Sequence, residues 1–223
     1  MDKVNPLIAQ WLKDNAHMLK WGNGEQIYRQ FNTDFPHYSN SYLTYEFTLL
    51  LPMTDIMKIF GESIPDSSFN SIEASNVYIP DNIHKIGNKA FYESNIENVS
   101  MPSAAFKENT FRSSEKLKTA EIRPGKGSTA YGMFADCTAL QEVFIGNSIL
   151  DPYTFVGCTH LTTVRLSSNL SHIMDNVFVN CIRLSSIYYE GTSDEWERVV
   201  KHTNWRKHSP IKSVICSDKE IFL

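Results

Sequence analysis

Phe134-Ala135-Asp136-Cys137-Thr138-Ala139-Leu140-Gln141-Glu142-Val143-Phe144-Ile145 is the stretch from which the architecture of this chain can be read. A small cysteine stands three residues after the phenylalanine and a leucine three residues after that. Val143 and Ile145 then alternate with polar or variable neighbours, which is the two-residue period of a short half-buried strand. Working outward, the same phenylalanine returns as Phe69, Phe91, Phe111, Phe134, Phe155 and Phe178, at spacings of 22, 20, 23, 21 and 23 residues. A near-fixed period of that size marks one supersecondary unit stacked on its next copy.

The second half of each unit repeats as apolar-x-x-apolar-x-apolar. Its copies are Ala74/Val77/Ile79, Ile96/Val99/Met101, Leu117/Ala120/Ile122, Leu140/Val143/Ile145, Leu161/Val164/Leu166 and Leu184/Ile187/Tyr189. Pro80, Pro102, Pro124 and Gly146 follow their strands as turn signals. Runs such as Ile83 to Phe91 and Leu170 to Phe178 then supply anchors facing the same interior from the opposite wall. Six units at a strand separation of about 4.8 Å form a ladder roughly 25–30 Å long.

Three of the four cysteines, Cys137, Cys158 and Cys181, share the slot three residues after a repeat phenylalanine, and Ser94 and Ser114 fill it in two other units. A column that accepts either Ser or Cys asks for a small, weakly polar buried side chain, which a reduced thiol supplies. No close Cys pair of the zinc-site kind is present, and Cys216 is expected to pack near the C-terminal end.

The order of anchors resembles the BspA-type leucine-rich repeat family, whose unit reads approximately I-P-x-x-V-x-x-I-G-x-x-A-F-x-x-C-x-x-L-x-x-V-x-I. Ile79-Pro80, Ile83, Ile86-Gly87 and Ala90-Phe91 match its first half, and Phe134 to Ile145 its second. The run Leu184 to Trp196 resembles the way such arrays finish. The resemblance covers residues 64–218. Residues 103–110 lack the Ile-Gly pair, and 125–133 carry Gly125, Gly127 and Gly132 instead, so irregular turn backs are expected in both places. The resemblance implies recognition, with no shared catalytic residues.

The expected fold is therefore an α+β solenoid: a leucine-rich-repeat ladder of short strands between a helical N-terminal region and a small α/β C-terminal cap. Residues 1–62 form the first part, a mostly helical cap or small domain, 63–190 the repeats, and 191–223 the C-terminal cap. Asn5 as N-cap, Pro6, Ile8, Trp11, Leu12 and Leu19, with Gly22 as the stop, predict a helix over 5–21. A short helix is expected at 25–31, a strand at 43–51 and another short helix from Thr54 to Phe60. Thr192 or Ser193 caps a predicted helix carrying Trp196, Val199 and Val200, and a last strand is expected over Ile211–Cys216.

Composition narrows function. Hydrophobic content is 42%, charged content 21% and net charge −4, with −1 over residues 1–60, −4 over 61–190 and +1 over 191–223. No segment has the basic footprint of a nucleic-acid binder, so direct nucleic-acid binding is not expected. The N-terminus lacks the apolar run and cleavage site of a secretory signal, and no run is long enough to span a bilayer. A cytoplasmic location is expected on those grounds.

The seven histidines fall in no metal-ligand spacing, and His84 and His172 sit at corresponding points of two units as surface turn residues. No G-x-S-x-G, P-loop or G-x-G-x-x-G is present; Gly125-Lys126-Gly127-Ser128 lacks the first P-loop glycine. Asn98-Val99-Ser100 and Asn169-Leu170-Ser171 match the glycosylation pattern by chance. No catalytic residue, cofactor or metal is expected.

What remains is the outward column between the last two anchors of each strand: Tyr78, Ser100, Glu121, Phe144, Arg165 and Tyr188. A second runs beside it: Asn76, Asn98, Thr119, Glu142, Thr163 and Ser186. Aromatic and arginine side chains on a solvent face are enriched at binding hot spots. Tyr78, Glu121, Glu142, Phe144, Arg165 and Tyr188 are the candidate partner-binding residues. The expected function is non-enzymatic recognition of a protein partner by this face, by the N-terminal region, or by both, as in a bacterial or phage-encoded inhibitor of a host factor. Two alternatives stand beside it. One is a cell-surface adhesin. The other is an enzyme or nucleic-acid mimic in residues 1–62, where His17, Glu25, His37, Glu46 and Asp55 are the candidate groups.

Overall fold

A computed structural model describes residues 10, 11, 14, 33, 34 and 62–223. A typical unit runs from a strand on the front, through a turn that Pro80, Pro102, Pro124 or Gly146 marks in four of the units, to a two-residue strand on the back, and round a tight corner to the next unit. The front strands are β2 (Glu73–Tyr78), β4 (Asn95–Met101), β6 (Thr119–Ile122), β7 (Glu142–Ile145), β9 (Thr163–Leu166), β11 (Ser186–Tyr189), β13 (Ser213–Ile215) and β14 (Glu220–Phe222). They form one sheet in the order β14-β13-β11-β9-β7-β6-β4-β2, parallel except for β14 on β13. The back carries two short sheets: β1 (Ser63–Ile64), β3 (Lys85–Ile86) and β5 (Ala105–Phe106), then β8 (Ile149–Leu150), β10 (His172–Ile173) and β12 (Val200–Lys201).

The core lies between the walls, and the six phenylalanines form its spine. All are fully buried. Successive ring centroids are 4.8, 4.8, 5.5, 5.6 and 5.5 Å apart, with planes within 16° of parallel. Trp205 stands edge-on to Phe178 at 6.1 Å and touches Trp196 at the C-terminal end of the file. Stacking follows from the repeat: the same ring on the same rung position meets its copy at the strand spacing.

The corner around each phenylalanine explains the neighbouring positions. Residues two before and two after it adopt the left-handed conformation in every unit: Ser67 and Ser71, Lys89 and Glu93, Asn109 and Ser113, Gly132 and Asp136, Tyr153 and Gly157, Asn176 and Asn180. Side-chain-bearing residues bear that conformation at a cost of about 1–2 kcal/mol each. It persists because the N–H groups of ten of the twelve are tied to the next unit, as in Lys89 to Glu108 O and Glu93 to Arg112 O. In the slot three residues after the phenylalanine, Ser114 Oγ donates to Phe91 O at 3.0 Å. Cys137, Cys158 and Cys181 Sγ donate to Phe111, Phe134 and Phe155 O at 3.1 Å. The slot needs a small donor, so Ser and Cys interchange. All four thiols are free, and burial pushes those of Cys137 and Cys181 up to about 12.

Several expectations change. Residues 62–223 contain one helix, of six residues, α1 (Ser193–Arg198), so their fold is a β-solenoid with little helix rather than an α+β one. Thr192 caps α1 in a capping box with Glu195, but Val200, expected in the helix, begins β12. The last strand expected at 211–216 shortens to β13, and β14 follows it, a strand the periodic reading lacks because it pairs antiparallel outside the repeat. Residues 103–110 are regular: Phe106 pairs with Ile86 and fills the isoleucine place. The irregular back lies at 125–128, where only a bridge from Ser128 to Ile149 remains and the back sheet divides. His84 and His172 are one place out of step, since Ile86 and Ile173 lie five residues before Phe91 and Phe178. Gln10, Trp11 and Asp14 are helical, within the helix expected over 5–21, and Trp11 packs against the repeat core. The expectations at 25–31, 43–51 and 54–60 lie outside the described residues.

Candidate functional site

The front sheet brings the predicted outward residues into one line. Its register pairs Tyr78 with Ser100, Ser100 with Glu121, Glu121 with Phe144, Phe144 with Arg165 and Arg165 with Tyr188, and carries the line on to Ile215. The second line runs Asn76, Asn98, Thr119, Glu142 and Thr163. Val77, Val99, Ala120, Val143, Val164 and Ile187, between the two lines, point inward and are buried, so the pleat forces both lines outward. Tyr78 and Tyr188 are 53% and 44% exposed, Glu121, Glu142 and Arg165 are exposed, and Phe144 is half-buried. An open depression of about 460 Å³ lies over Asn76, Tyr78, Asn98, Thr119, Glu142 and Phe144. Another, of about 410 Å³, passes Arg165 and Tyr188, and Glu142 borders both.

Side-chain bonds stiffen this face. Thr119 Oγ1 donates to Asn98 Oδ1 at 2.8 Å and Asn98 Nδ2 to Asn76 Oδ1 at 3.0 Å. Arg123, a residue the sequence reading missed, lies over the Tyr78 ring at 4.6 Å. Its guanidinium donates to Asp81 Oδ1 at 2.7 Å, Ile79 O at 2.7 Å and Ser100 Oγ at 2.9 Å. Ser100 in turn donates to Glu121 Oε2 at 2.7 Å. Lys118 pairs with Glu97 at 2.9 Å, and its hydrogen bond holds the Glu97 carboxyl below the ordinary range. Arg165 leans towards Glu190 at 3.8 Å. Only its place just before the Pro124 turn distinguishes Arg123 in the sequence, and that is no signal for a contact with Tyr78.

The other sequence candidates stay apart from this face. Lys126, Gly127 and Ser128 cross the divided back, and the residues after them form a turn rather than the helix a P-loop needs. His160 bonds Thr138 O, and His202 sits 3.3 Å from Asp175. Among the described residues no group of three or more His, Cys, Asp or Glu could hold a metal ion, and no helix is long and apolar enough to cross a membrane. Asn98 of the first glycosylation-like triplet is tied into the asparagine ladder.

This geometry defines a class: a repeat solenoid whose one broad sheet presents ordered side chains to solvent. The description of the BspA type leucine rich repeat region, in six copies, matches residues 61–150 and 104–199, more than half the chain. The chain belongs to that family. Among solved structures it is similar to a leucine rich cell surface protein from Faecalibacterium prausnitzii, at 16% identity and a TM-score of 0.39, with 64% of this chain and 55% of that one covered. It is also similar to a leucine-rich repeat protein from Eubacterium ventriosum, at 15% identity and a TM-score of 0.32, with 66% and 68% covered. The chain thus spans about half the length of the first of these. No curated protein matches it.

Proposed function

We propose that this chain is a non-enzymatic recognition module that binds a protein partner with its front sheet. The observation that carries the reading is the single file Tyr78, Phe144 and Tyr188, held on one rigid sheet with Arg165 and two glutamates and left open to solvent. Aromatic anchors that fold into no core cost little extra to order on binding, because the sheet has already fixed them. The N-terminal region, which reaches the core through Trp11, is the second element proposed to meet the partner.

In its narrower form the proposal is a cytoplasmic protein that occludes a host factor. The four free thiols support a reducing compartment, where pairing is disfavoured. The test is affinity purification from the native cell with wild type beside a Tyr78→Ser/Phe144→Ser/Tyr188→Ser variant. Wild type is expected to retain a partner that the variant loses, with unchanged thermal unfolding in the variant. Recovery of the same partner by both refutes the strand-face reading.

A further inference from the structure

We propose that the front sheet takes a basic segment of its partner, with an arginine or lysine side chain seated on Phe144 between Glu121 and Glu142. The inference rests on the strand-face reading and names the chemistry of the partner. Glu121 lies directly across from Phe144 on β6, and Glu142 precedes it by two residues on β7. Both side chains therefore leave the sheet on the side of the ring, at about 5 Å and 7 Å along the pleat. One cation over the ring lies within reach of both carboxylates.

Several other carboxylates on and beside this face have a basic partner. Glu97 has Lys118, Glu190 has Arg165 and Asp81 has Arg123. The Glu142 carboxylate carries no ion pair or hydrogen bond to any described residue, although it borders both depressions. Glu121 accepts only the Ser100 hydroxyl, on one oxygen. Uncompensated negative charge therefore gathers beside the half-buried aromatic at the centre of the face. An apolar partner covering Phe144 would bury those carboxylates unpaired, and an acidic one would add like charge. A basic side chain alone satisfies ring and carboxylates together.

The chain already builds the filled version of this arrangement. Three rungs away, the Arg123 guanidinium lies on the Tyr78 ring and bonds the Asp81 carboxylate. At Phe144 the ring and carboxylates are present, and the neighbouring guanidinium, that of Arg165 directly across on β9, leans towards Glu190 at 3.8 Å instead of lying over the ring. Arginine is the better occupant, because its planar head stacks on a ring while donating two bonds to a carboxylate.

The test is selection of phage-displayed random peptides on the full chain, followed by affinity measurement of the synthesised winners. Winners rich in Arg or Lys are expected. Their affinity should fall about tenfold or more in Glu121→Gln/Glu142→Gln, on replacing the arginine by neutral citrulline, and on raising salt. Glutamine keeps the shape of the exposed side chain, and unchanged melting of that variant separates lost binding from lost folding. Winners without basic residues that the Tyr78/Phe144/Tyr188 serine variant still loses would overturn this inference and leave the strand-face reading intact. Winners indifferent to the serine variant, or no winners at all, count against both.

Discussion

Removing one ring from the middle of the phenylalanine file should be the most costly single change in the repeats. Phe134 is fully buried, with Phe111 at 5.5 Å on one side and Phe155 at 5.6 Å on the other. Phe134→Ala leaves a cavity whose transfer and void terms come to about 3–5 kcal/mol. Each lost ring pair is worth about 0.5–1.5 kcal/mol, part of it already inside that figure, so about 4 kcal/mol is expected. That is a large share of the roughly 5–15 kcal/mol that stabilises an ordinary domain. Urea unfolding followed by far-ultraviolet circular dichroism measures it, compared at constant m-value. Because each rung touches only its neighbours, the effect should be local. Phe134→Ala with Phe155→Ala should couple by about 0.5–3 kcal/mol, whereas Phe91→Ala with Phe155→Ala should add to within roughly 0.5 kcal/mol. A cost below about 1 kcal/mol for Phe134→Ala, or equal coupling in the two pairs, would refute the stacked-file account.

The other expectations concern the corners and the face. Burial raises the Cys137 and Cys181 thiols to about 12 and Cys158 well above its ordinary value, while the unfolded chain ionises them from about 9. Folding therefore holds protons that the unfolded state releases. Stability is whole below pH 9 and falls between about 9 and 12, by up to about 1.4 kcal/mol per pH unit for each thiol; a Cys137→Ser/Cys158→Ser/Cys181→Ser variant should flatten that slope in urea titrations. Arg123→Ala should cost about 1–2 kcal/mol, and Arg123→Lys should recover less than half, because a lysine cannot hold the Tyr78 ring, Asp81, Ile79 O and Ser100 at once. An alanine Cβ at Gly146 would stand 2.5 Å from Pro124 Cα, so Gly146→Ala should lower the melting temperature, by about 1–3 kcal/mol of stability. An unchanged melting temperature would mean that the turns after β6 and β7 are not stacked.

Much of the ladder was legible because a solenoid repeats its burial along with its sequence. The Phe134 spacing, the Ser/Cys slot and the Val143/Ile145 alternation each report an environment that recurs once per rung, and the outward column from Tyr78 to Tyr188 follows from the pleat alone. The corners were less legible. Ten of the twelve left-handed positions around the phenylalanines carry residues other than glycine, such as Lys89 and Glu93, so the usual glycine signal is missing. Neighbouring rungs impose that conformation through their carbonyls. The divided back at 125–128 showed as glycines, yet the regular strand at Ala105–Phe106 did not, because a phenylalanine can fill an isoleucine's place.

By itself, then, the amino-acid order determined that this chain coils, with which period, and which side chains it turns outward, since all three depend on near neighbours and strand alternation. Only the tertiary structure decided which outward groups are already partnered. Arg123 reaches back two rungs to Tyr78 and Asp81, and the Glu142 carboxylate has no ion pair among the described residues, because stacking sets residues more than forty positions apart side by side and no local pattern records that meeting.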